Sequence, residues 1–369
     1  MSIVIEFVKR EAVLCVFLFL LAVLAVLYPY EITNYTSFVD WRTITALTGL
    51  FIITTGLKES RYFYIFSQEV LKRVKSERSL SIFLILLAAV LSTFLTNDVS
   101  LFVIIPLTIS IQSQIKNDIS KLVIFEVIAV NVGSALTPIG NPQNLFLWHK
   151  WGISFITFII EMSPLITLLL TILLIFAWIV FPDKKINFSE VITDDRMQKR
   201  VLFILSLAML IIYVIFLEIK LVYLALLVVL ISYLIFYRRV FLKVDWLLLL
   251  LFIVIFIDFH VISTIPIISG GVSKLNLHPA GNVFLFSAFI SQSISNVPAS
   301  VLVSKFSHNW LAIAYGVNVG GNGLAISSLA NIIALRMTKT EKIWLNFHKY
   351  SIPFFLITGG ITYVLFYVL

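Results

Sequence analysis

Long apolar runs follow one another along almost the whole chain, and short polar or basic segments separate them. A helix that crosses a bilayer needs roughly 20 consecutive apolar residues. Nine segments approach or exceed that length: residues 12–30, 43–57, 121–148, 152–181, 200–217, 220–237, 246–268, 310–335 and 350–369. The pattern predicts an all-α polytopic membrane protein with about nine spanning segments.

Two further apolar segments, 80–112 and 282–305, carry a polar tip in the middle. Each half has only about a dozen to sixteen residues, which is short for a full crossing. We therefore expect two re-entrant hairpins, each of which enters and leaves the membrane by the same face.

The distribution of basic residues supports this topology. If the N-terminus is cytoplasmic, most of the 27 Lys and Arg residues fall on the inner face, as the positive-inside rule requires. The outer face receives only Arg42, Lys150, Lys220, Lys274 and Lys305. We expect a multi-pass protein of the cytoplasmic (inner) membrane with its N-terminus inside and its C-terminus outside.

Composition agrees with a protein that faces lipid. Of its 369 residues, 60% are hydrophobic and 12% are charged, whereas a soluble protein has roughly 25% charged residues. Topology explains the net charge of +8, so nucleic acid is not an expected partner. The lone cysteine, Cys15, excludes a disulfide framework, a thiolate metal cluster and an iron–sulfur site. We find no nucleophile–base pair, and we expect no catalytic residue and no cofactor.

Three motifs occur twice in the same order. They are VDW at 39–41 and 244–246, an asparagine at each hairpin tip (Asn97 and Asn296), and NVGSALTPIGNPQN at 131–144 with NVGGNGLAISSLAN at 318–331. We predict a first repeat over 1–182, a linker and connecting helix over 183–219, and a second repeat over 220–369. The first repeat has four predicted crossings, so it begins and ends on the same face of the membrane. The connecting helix adds one crossing, so the second repeat begins on the opposite face and is inverted. Inverted repeats with broken helices near the midplane are typical of secondary transporters.

Helix-breaking residues interrupt the spans 121–148 and 310–335. Pro138, Gly140 and Pro142 break the first span, and three glycines around Asn322 break the second. Unwound backbone at membrane depth survives only where it is buried or lines a wet cavity. Its free carbonyl groups can bind a small cation, and the N-terminus of a half-helix attracts an anion.

The tips and the breaks together predict binding sites. Asn, Ser, Thr and backbone oxygens suit a hard cation such as Na⁺, so we expect two mirrored cation sites. Their predicted ligands are Thr96, Asn97, Asp98, Asn131, Ser134 and Thr137 in the first, and Ser295, Asn296, Asn318, Gly321 and Asn322 in the second. The substrate is expected between the tips, near Asn97, Thr137, Pro138, Gly140, Asn141, Asn144, Asn296, Ser327, Ser328 and Asn331.

Acidic residues at membrane depth are candidates for coupling. Asp98 has no acidic counterpart, because Val297 occupies the equivalent position; it could complete a Na⁺ site or carry a proton. Asp258 is a second candidate proton site, two residues before His260 and therefore on another helix face. Glu126 is expected at a solvated helix end. Within the predicted spans and hairpins, Lys and Arg occur only at an end residue, namely Lys121, Arg200, Lys220 and Lys305. This absence from the interior fits cation-coupled anion uptake and equally permits a neutral oxyacid or a bare cation.

The segments FLTNDVSLFVIIP, GSALTPIGNPQN, SISNVPASVLV and NVGGNGLAISSLAN resemble those of the ion transporter superfamily. That superfamily includes arsenite permeases, citrate and dicarboxylate transporters, and NhaD-type sodium/proton antiporters. The resemblance covers residues 38–340 and implies an inverted-repeat fold with two hairpins, a homodimer, and elevator-like movement of the hairpin-bearing domain. The dicarboxylate branch has Ser-Asn-Thr at both tips. The tips here, Thr96-Asn97-Asp98 and Ser295-Asn296-Val297, argue against di- or tricarboxylate specificity and look closer to the arsenite-permease and small anion transporter branch.

The preferred reading is a secondary active transporter that moves a small inorganic or organic anion, or an oxyanion, with Na⁺ or H⁺. An arsenite efflux permease or a Na⁺/H⁺ antiporter is the alternative within the same class. An ion channel is the alternative from another class, although a channel needs a continuous polar pore and these polar residues cluster at mid-depth.

Overall fold

The computed structural model describes residues 11–62, 74, 76–115, 119–185, 199–338 and 342–369, with the side chains of 110–115 left out. The predicted orientation rests in part on basic residues that lie outside the described residues, such as Lys72, Arg73 and Arg196. Among the described residues, the regular secondary structure is helical apart from an isolated bridge between Ser76 and Lys185. Its α-helices are α1 Ala12–Leu27, α2 Tyr35–Phe38, α3 Trp41–Ser60, α4 Glu77–Phe94, α5 Asn97–Ile115, α6 Ser120–Ser134, α7 Pro142–Trp151, α8 Phe155–Val180, α9 Arg200–Glu218, α10 Val222–Phe236, α11 Trp246–Thr264, α12 Pro266–Ser273, α13 Ala280–Ile294, α14 Asn296–Val303, α15 Trp310–Gly320, α16 Leu329–Met337 and α17 Ile343–Tyr367.

Five helices within the described residues are long and apolar enough to cross a membrane, namely α4, α8, α9, α11 and α17. A sixth crossing results if α1 and the segment after it, which meet at a bend of 116°, count as one span. Several predicted spans are therefore shorter or interrupted helices, such as α10 with 15 residues. The chain is a polytopic helical membrane protein, and the number of nine full spans stays a prediction.

The helix lengths correct two expectations. The first predicted hairpin has arms of 18 and 19 residues, so the expected dozen to sixteen residues is wrong there, and α4 alone is long enough to cross. The second hairpin has arms of 15 and 8 residues. The predicted span 246–268 ends at Thr264, because Pro266 begins a separate short helix. The last helix begins at Ile343 rather than at residue 350.

Each Val-Asp-Trp motif builds the same helix start. Asp40 and Asp245 are the N-caps of α3 and α11, and their carboxylates accept the backbone N–H three residues later at 3.2 and 3.1 Å. The indole N–H of Trp41 and that of Trp246 donate to the carbonyl five residues earlier, at 2.8 and 2.9 Å. The motif repeats because this cap fixes how each helix enters the protein.

Helix contacts also come in corresponding pairs. Helix α4 packs along α6 as α13 packs along α15, and α8 contacts both α4 and α6 as α17 contacts both α13 and α15. Helix α1 packs on α11, and α10 packs on α3. Helix α14 packs on α7 and α5 packs on α16, so each hairpin contacts the broken helix of the other half. Helix α9 packs on α3, where Tyr213 lies against Gly49. The inversion of one half relative to the other in a membrane stays a prediction.

Candidate functional site

The first break, residues 135–141, joins α6 to α7. Asn141 is the N-cap of α7, where its Oδ1 accepts the backbone N–H of Asn144 at 2.9 Å. Pro142 occupies the first helical position, where its missing N–H costs nothing. The sequence Asn-Pro-Gln-Asn therefore starts a new helix rather than kinking an old one.

Glycine lets the backbone fold closely at both breaks. A Cβ at Gly140 would lie 2.2 Å from the carbonyl oxygen of Ser134, and one at Gly323 would lie 2.1 Å from Oε1 of Gln292. Real Cβ atoms do not approach that closely. At Gly140 the obstacle is backbone, so that position requires glycine, whereas at Gly323 the Gln292 side chain would have to move. The second break, residues 321–328, contains a 3₁₀ turn at Ala325–Ser327 and leads into α16.

Asparagines of the two broken helices bind one another across the centre of the protein. Asn131 Nδ2 donates to Oδ1 of Asn331 at 2.7 Å, and Asn318 Nδ2 donates to Oδ1 of Asn144 at 2.8 Å. These two bonds join equivalent positions of the aligned motifs. Two more bonds do the same: Ser328 Oγ donates to Asn131 Oδ1 at 3.2 Å, and Asn141 Nδ2 donates to Asn318 Oδ1 at 3.1 Å. We call these side chains the asparagine network.

Both amide hydrogens of Asn144 and Asn331 are already used. Asn144 Nδ2 donates to the carbonyls of residues 135 and 137, at 3.0 and 3.3 Å. Asn331 Nδ2 donates to those of residues 321 and 324, at 2.9 and 3.3 Å. In this conformation these two predicted substrate ligands hold the breaks in shape. Pro138 and Ser327 lie within the breaks, and Ser327 Oγ donates to Leu324 O.

Each hairpin is tied to the broken helix beside it by a side chain that the sequence analysis missed. Thr93 Oγ1 donates to the carbonyls of residues 89 and 133, at 3.0 and 3.1 Å. Gln292 Nε2 donates to those of residues 288 and 320, at 3.1 and 2.7 Å. Thr93 and Gln292 each lie four residues before the tip asparagine, and that shared spacing is the signal that could have revealed them. Thr137 Oγ1 in turn donates to Thr93 O at 2.6 Å.

The two tips have the same local structure. Oδ1 of Asn97 accepts the N–H of the next residue at 3.0 Å, and Oδ1 of Asn296 does so at 2.9 Å. The first tip also reaches the first break, because the backbone N–H of Asn97 donates to Gly140 O at 3.0 Å. Ser295 adopts a positive φ of 75° to make the second reversal.

Several predicted cation ligands have oxygen atoms without a partner. Thr96 Oγ1 and Asp98 Oδ1 at the first tip, and Asn322 Oδ1 at the second break, are buried and make no hydrogen bond in the structure. A buried polar atom without a partner costs about 1–3 kcal/mol, so a ligand at these positions would recover that energy. Hydroxyl, carboxylate and amide oxygens are ligands that suit Na⁺, and of these groups only the carboxylate can carry a proton.

Two other acidic residues have different surroundings. Glu126 is fully buried and accepts a hydrogen bond from Thr108 Oγ1, so its expected place at a solvated helix end is wrong. Asp258 is fully buried, and neither of its oxygens has a partner. His260 lies on another side of α11, stacked on Phe38, as its two-residue offset from Asp258 predicts.

A cavity leads from the first tip to the end of the protein where α3 stops. Its narrow inner part, lined by Thr54, Thr55, Thr96 and Asp98, joins a wider chamber of about 660 Å³ through shared lining residues. Lys58 and Phe102 stand at the junction, with the ammonium 3.9 Å from the centre of the ring. We call the cavity and the chamber together the vestibule. Lys58 follows a predicted span directly and was not expected at the site.

Comparison with known proteins gives the family. The citrate transporter family model matches residues 1–309. The chain belongs to the citrate transporter family. It is 39% identical over 341 residues to the inner membrane protein YbiR of Escherichia coli, which covers 92% of this chain and 91% of that protein. It is 39% identical over 351 residues to the uncharacterized transporter MJ0456 of Methanocaldococcus jannaschii, which covers 94% and 92%. The mouse P protein is 29% identical over 43% of this chain and 20% of its own length.

Membership of the citrate transporter family makes this protein a membrane transporter rather than an enzyme. It confirms the resemblance to the ion transporter superfamily at the level of this family. The closer placement beside arsenite permeases or NhaD antiporters stays a prediction, as do the residues that bind substrate and cation.

Proposed function

We propose that this transporter moves a small anion or oxyanion across the cytoplasmic membrane by secondary active transport, driven by Na⁺ or H⁺. The observation that carries the proposal is that three oxygen atoms of the predicted cation ligands are buried without partners: Thr96 Oγ1 and Asp98 Oδ1 at the first tip, and Asn322 Oδ1 at the second break. A protein keeps such atoms at a cost, and a bound cation offsets that cost. The cation then supplies positive charge for the anion.

Helix N-termini add to the attraction for an anion. Helix α5 begins at the first tip and packs against α16, which begins after the second break; α14 begins at the second tip and packs against α7, which begins after the first break. Each N-terminus carries about half a positive charge from the helix dipole. This arrangement supports binding between the tips and favours a transporter over a channel.

The contact pattern supports movement of one part of the protein against another. The hairpins and broken helices pack on α8 and α17, whereas α1, α3, α9, α10 and α11 pack mainly on one another. We propose that the first group moves as an elevator past the second within a homodimer. We retain Na⁺/H⁺ antiport as a second candidate, because Asp98 provides a carboxylate oxygen without a partner at the first tip; arsenite efflux is tested by the same assays.

Flux into reconstituted vesicles tests the proposal. Thermal-shift screening with Na⁺, phosphate, sulfate, dicarboxylates and arsenite first selects the anions for flux. Uptake of a selected anion is expected to exceed its equilibrium level when a Na⁺ or proton gradient is imposed. Asp98→Asn is expected to abolish this dependence, whereas the exposed carboxylate variant Glu161→Gln keeps it. Uptake that follows only the anion gradient in the unmodified protein would contradict coupled transport, and cation exchange without any anion would favour the antiporter.

A further inference from the structure

Lys58 makes no ion pair in the vestibule, although Asp98 and Asp245 line the same narrow part. The ammonium is half-buried over the Phe102 ring, and no carboxylate of the described residues lies within ion-pairing distance of it. The neighbouring Glu59 is paired instead with Lys243, which lines both parts of the vestibule as Lys58 does. Lysine is almost never fully buried without a partner, and this half-buried ammonium at a cavity wall has charge available for a ligand.

The aromatic ring holds the ammonium in place without neutralising it. A cation over an aromatic face is attracted by the ring quadrupole, by about 0.5–2 kcal/mol, and its net charge is unchanged. A carboxylate partner would cancel that charge. The pairing with Phe102 therefore positions Lys58 and leaves its positive charge open to the cavity.

Lys58 and Asp98 are both charged at positions where the second repeat has an uncharged residue. Counted from the shared Val-Asp-Trp motif, Lys58 of α3 corresponds to Ser263 of α11, and counted from the tip asparagines, Asp98 corresponds to Val297. Both charged residues line the narrow part of the vestibule, together with Lys243 and Asp245. One end of the protein has thus gained a fixed cation and an acid in a single cavity.

We propose that Lys58 is the fixed positive charge that binds the anionic group of the substrate in the vestibule, on its way to or from the first tip. The proposal rests on the proposed transport of a small anion and adds the residue that recognises its charge. An ammonium is a compact point charge with three donors, so it suits a carboxylate or a small oxyanion. Thr54 and Thr55 of the same wall add hydroxyl groups to the cavity.

Cysteine labelling measures the charge of the vestibule without any transport. The single native cysteine is removed with Cys15→Ala, and Leu248→Cys places a thiol on α11, where Leu248 lines both parts of the vestibule. Rates are measured in detergent with a negatively charged and a positively charged methanethiosulfonate reagent. Lys58→Gln is expected to lower the ratio of the labelling rate with the negative reagent to that with the positive reagent about tenfold. Loss of one positive charge a few ångströms away slows the first reaction and speeds the second.

Two variants serve as controls for this ratio. Lys58→Arg keeps the charge and is expected to keep the ratio within about twofold. Lys274→Gln removes an exposed charge that lines neither part of the vestibule, and it is also expected to change the ratio less than about twofold. A ratio that Lys58→Gln leaves unchanged overturns the proposal, and so does an equal effect of Lys274→Gln.

Protection by anions tests binding itself. Inorganic phosphate, sulfate, succinate and citrate are added separately. At least one of them is expected to slow labelling when residue 58 is Lys or Arg, but not when it is Gln. If no anion protects, or if protection survives Lys58→Gln, Lys58 does not bind the substrate. If protection depends on Lys58 while vesicles show no coupled flux, the Lys58 site stands and the proposed function fails. A second reporter, Ile333→Cys on α16, repeats the test should Leu248→Cys fail to fold.

Discussion

Removal of Asn318 tests whether the asparagine network holds the two broken helices together. In the structure, Asn318 Nδ2 donates to Asn144 Oδ1, and Asn318 Oδ1 accepts from Asn141 at 3.1 Å and from Gln143 Nε2 at 3.4 Å. All four side chains are buried. Asn318→Ala leaves the Asn144 oxygen and the Gln143 amide without these partners.

The expected cost follows from those two groups. Each buried polar group left without a partner costs about 1–3 kcal/mol, which gives about 2–4 kcal/mol for the single variant once some relaxation is allowed. Hydrogen bonds between membrane helices contribute less, about 0.6 kcal/mol on average and up to about 1.7 kcal/mol. The coupling between Asn318 and Asn144 is therefore expected to be about 1 kcal/mol.

A double-mutant cycle measures this coupling. Asn318→Ala, Asn144→Ala and the double variant are unfolded reversibly in mixed micelles by titration with SDS, and tryptophan fluorescence reports the free energy of unfolding. The cycle is run with and without Na⁺. Asn282→Ala is the control, since its amide makes a single bond near the surface, to Asn276 O, and a change within about 0.5 kcal/mol is expected.

Two results would refute the reasoning. Zero coupling between Asn318 and Asn144 would mean that their bond does not stabilise the folded protein. A loss of stability that appears only with Na⁺ present would instead make Asn318 a cation ligand, as the sequence analysis predicted. A loss that is equal with and without Na⁺ supports a structural role.

Three further perturbations have direct outcomes. Gly133→Ala is expected to lower the free energy of unfolding by about 1–3 kcal/mol, because its Cβ would lie 2.0 Å from Ala89 O; Gly360→Ala, which has open space around it, is expected to cause no loss in the same SDS titration. Asp258→Asn is expected to keep the ion dependence of uptake in vesicles, since no hydrogen bond joins Asp258 to either tip; loss of that dependence would make Asp258 the proton site. Tyr213→Phe is expected to cost about 1 kcal/mol in thermal unfolding, because its hydroxyl donates to two backbone carbonyls of α3 at 3.1 and 3.2 Å, and no change would show that water replaces those bonds.

The sequence predicted where both long helices break and where both hairpins turn. Helix breakers such as Pro142 and tip residues such as Asn97 act over a few neighbouring residues, so their effect can be read locally. The arm lengths of the first hairpin were wrong, because apolar length alone does not show where a helix starts. The buried position of Glu126 was also missed, since its partner Thr108 lies on another helix.

The sequence alone determined the membrane class, the helical character, the positions of the breaks and the duplicated motifs. These depend on hydropathy, on proline and glycine, and on capping residues, all of which act through nearby backbone. Only the tertiary structure decided that Asn131 pairs with Asn331 and Asn318 with Asn144, and that Lys58 faces the vestibule over Phe102. Hydrogen bonds between residues almost two hundred positions apart depend on how helices pack, and a linear pattern of polar residues does not contain that information.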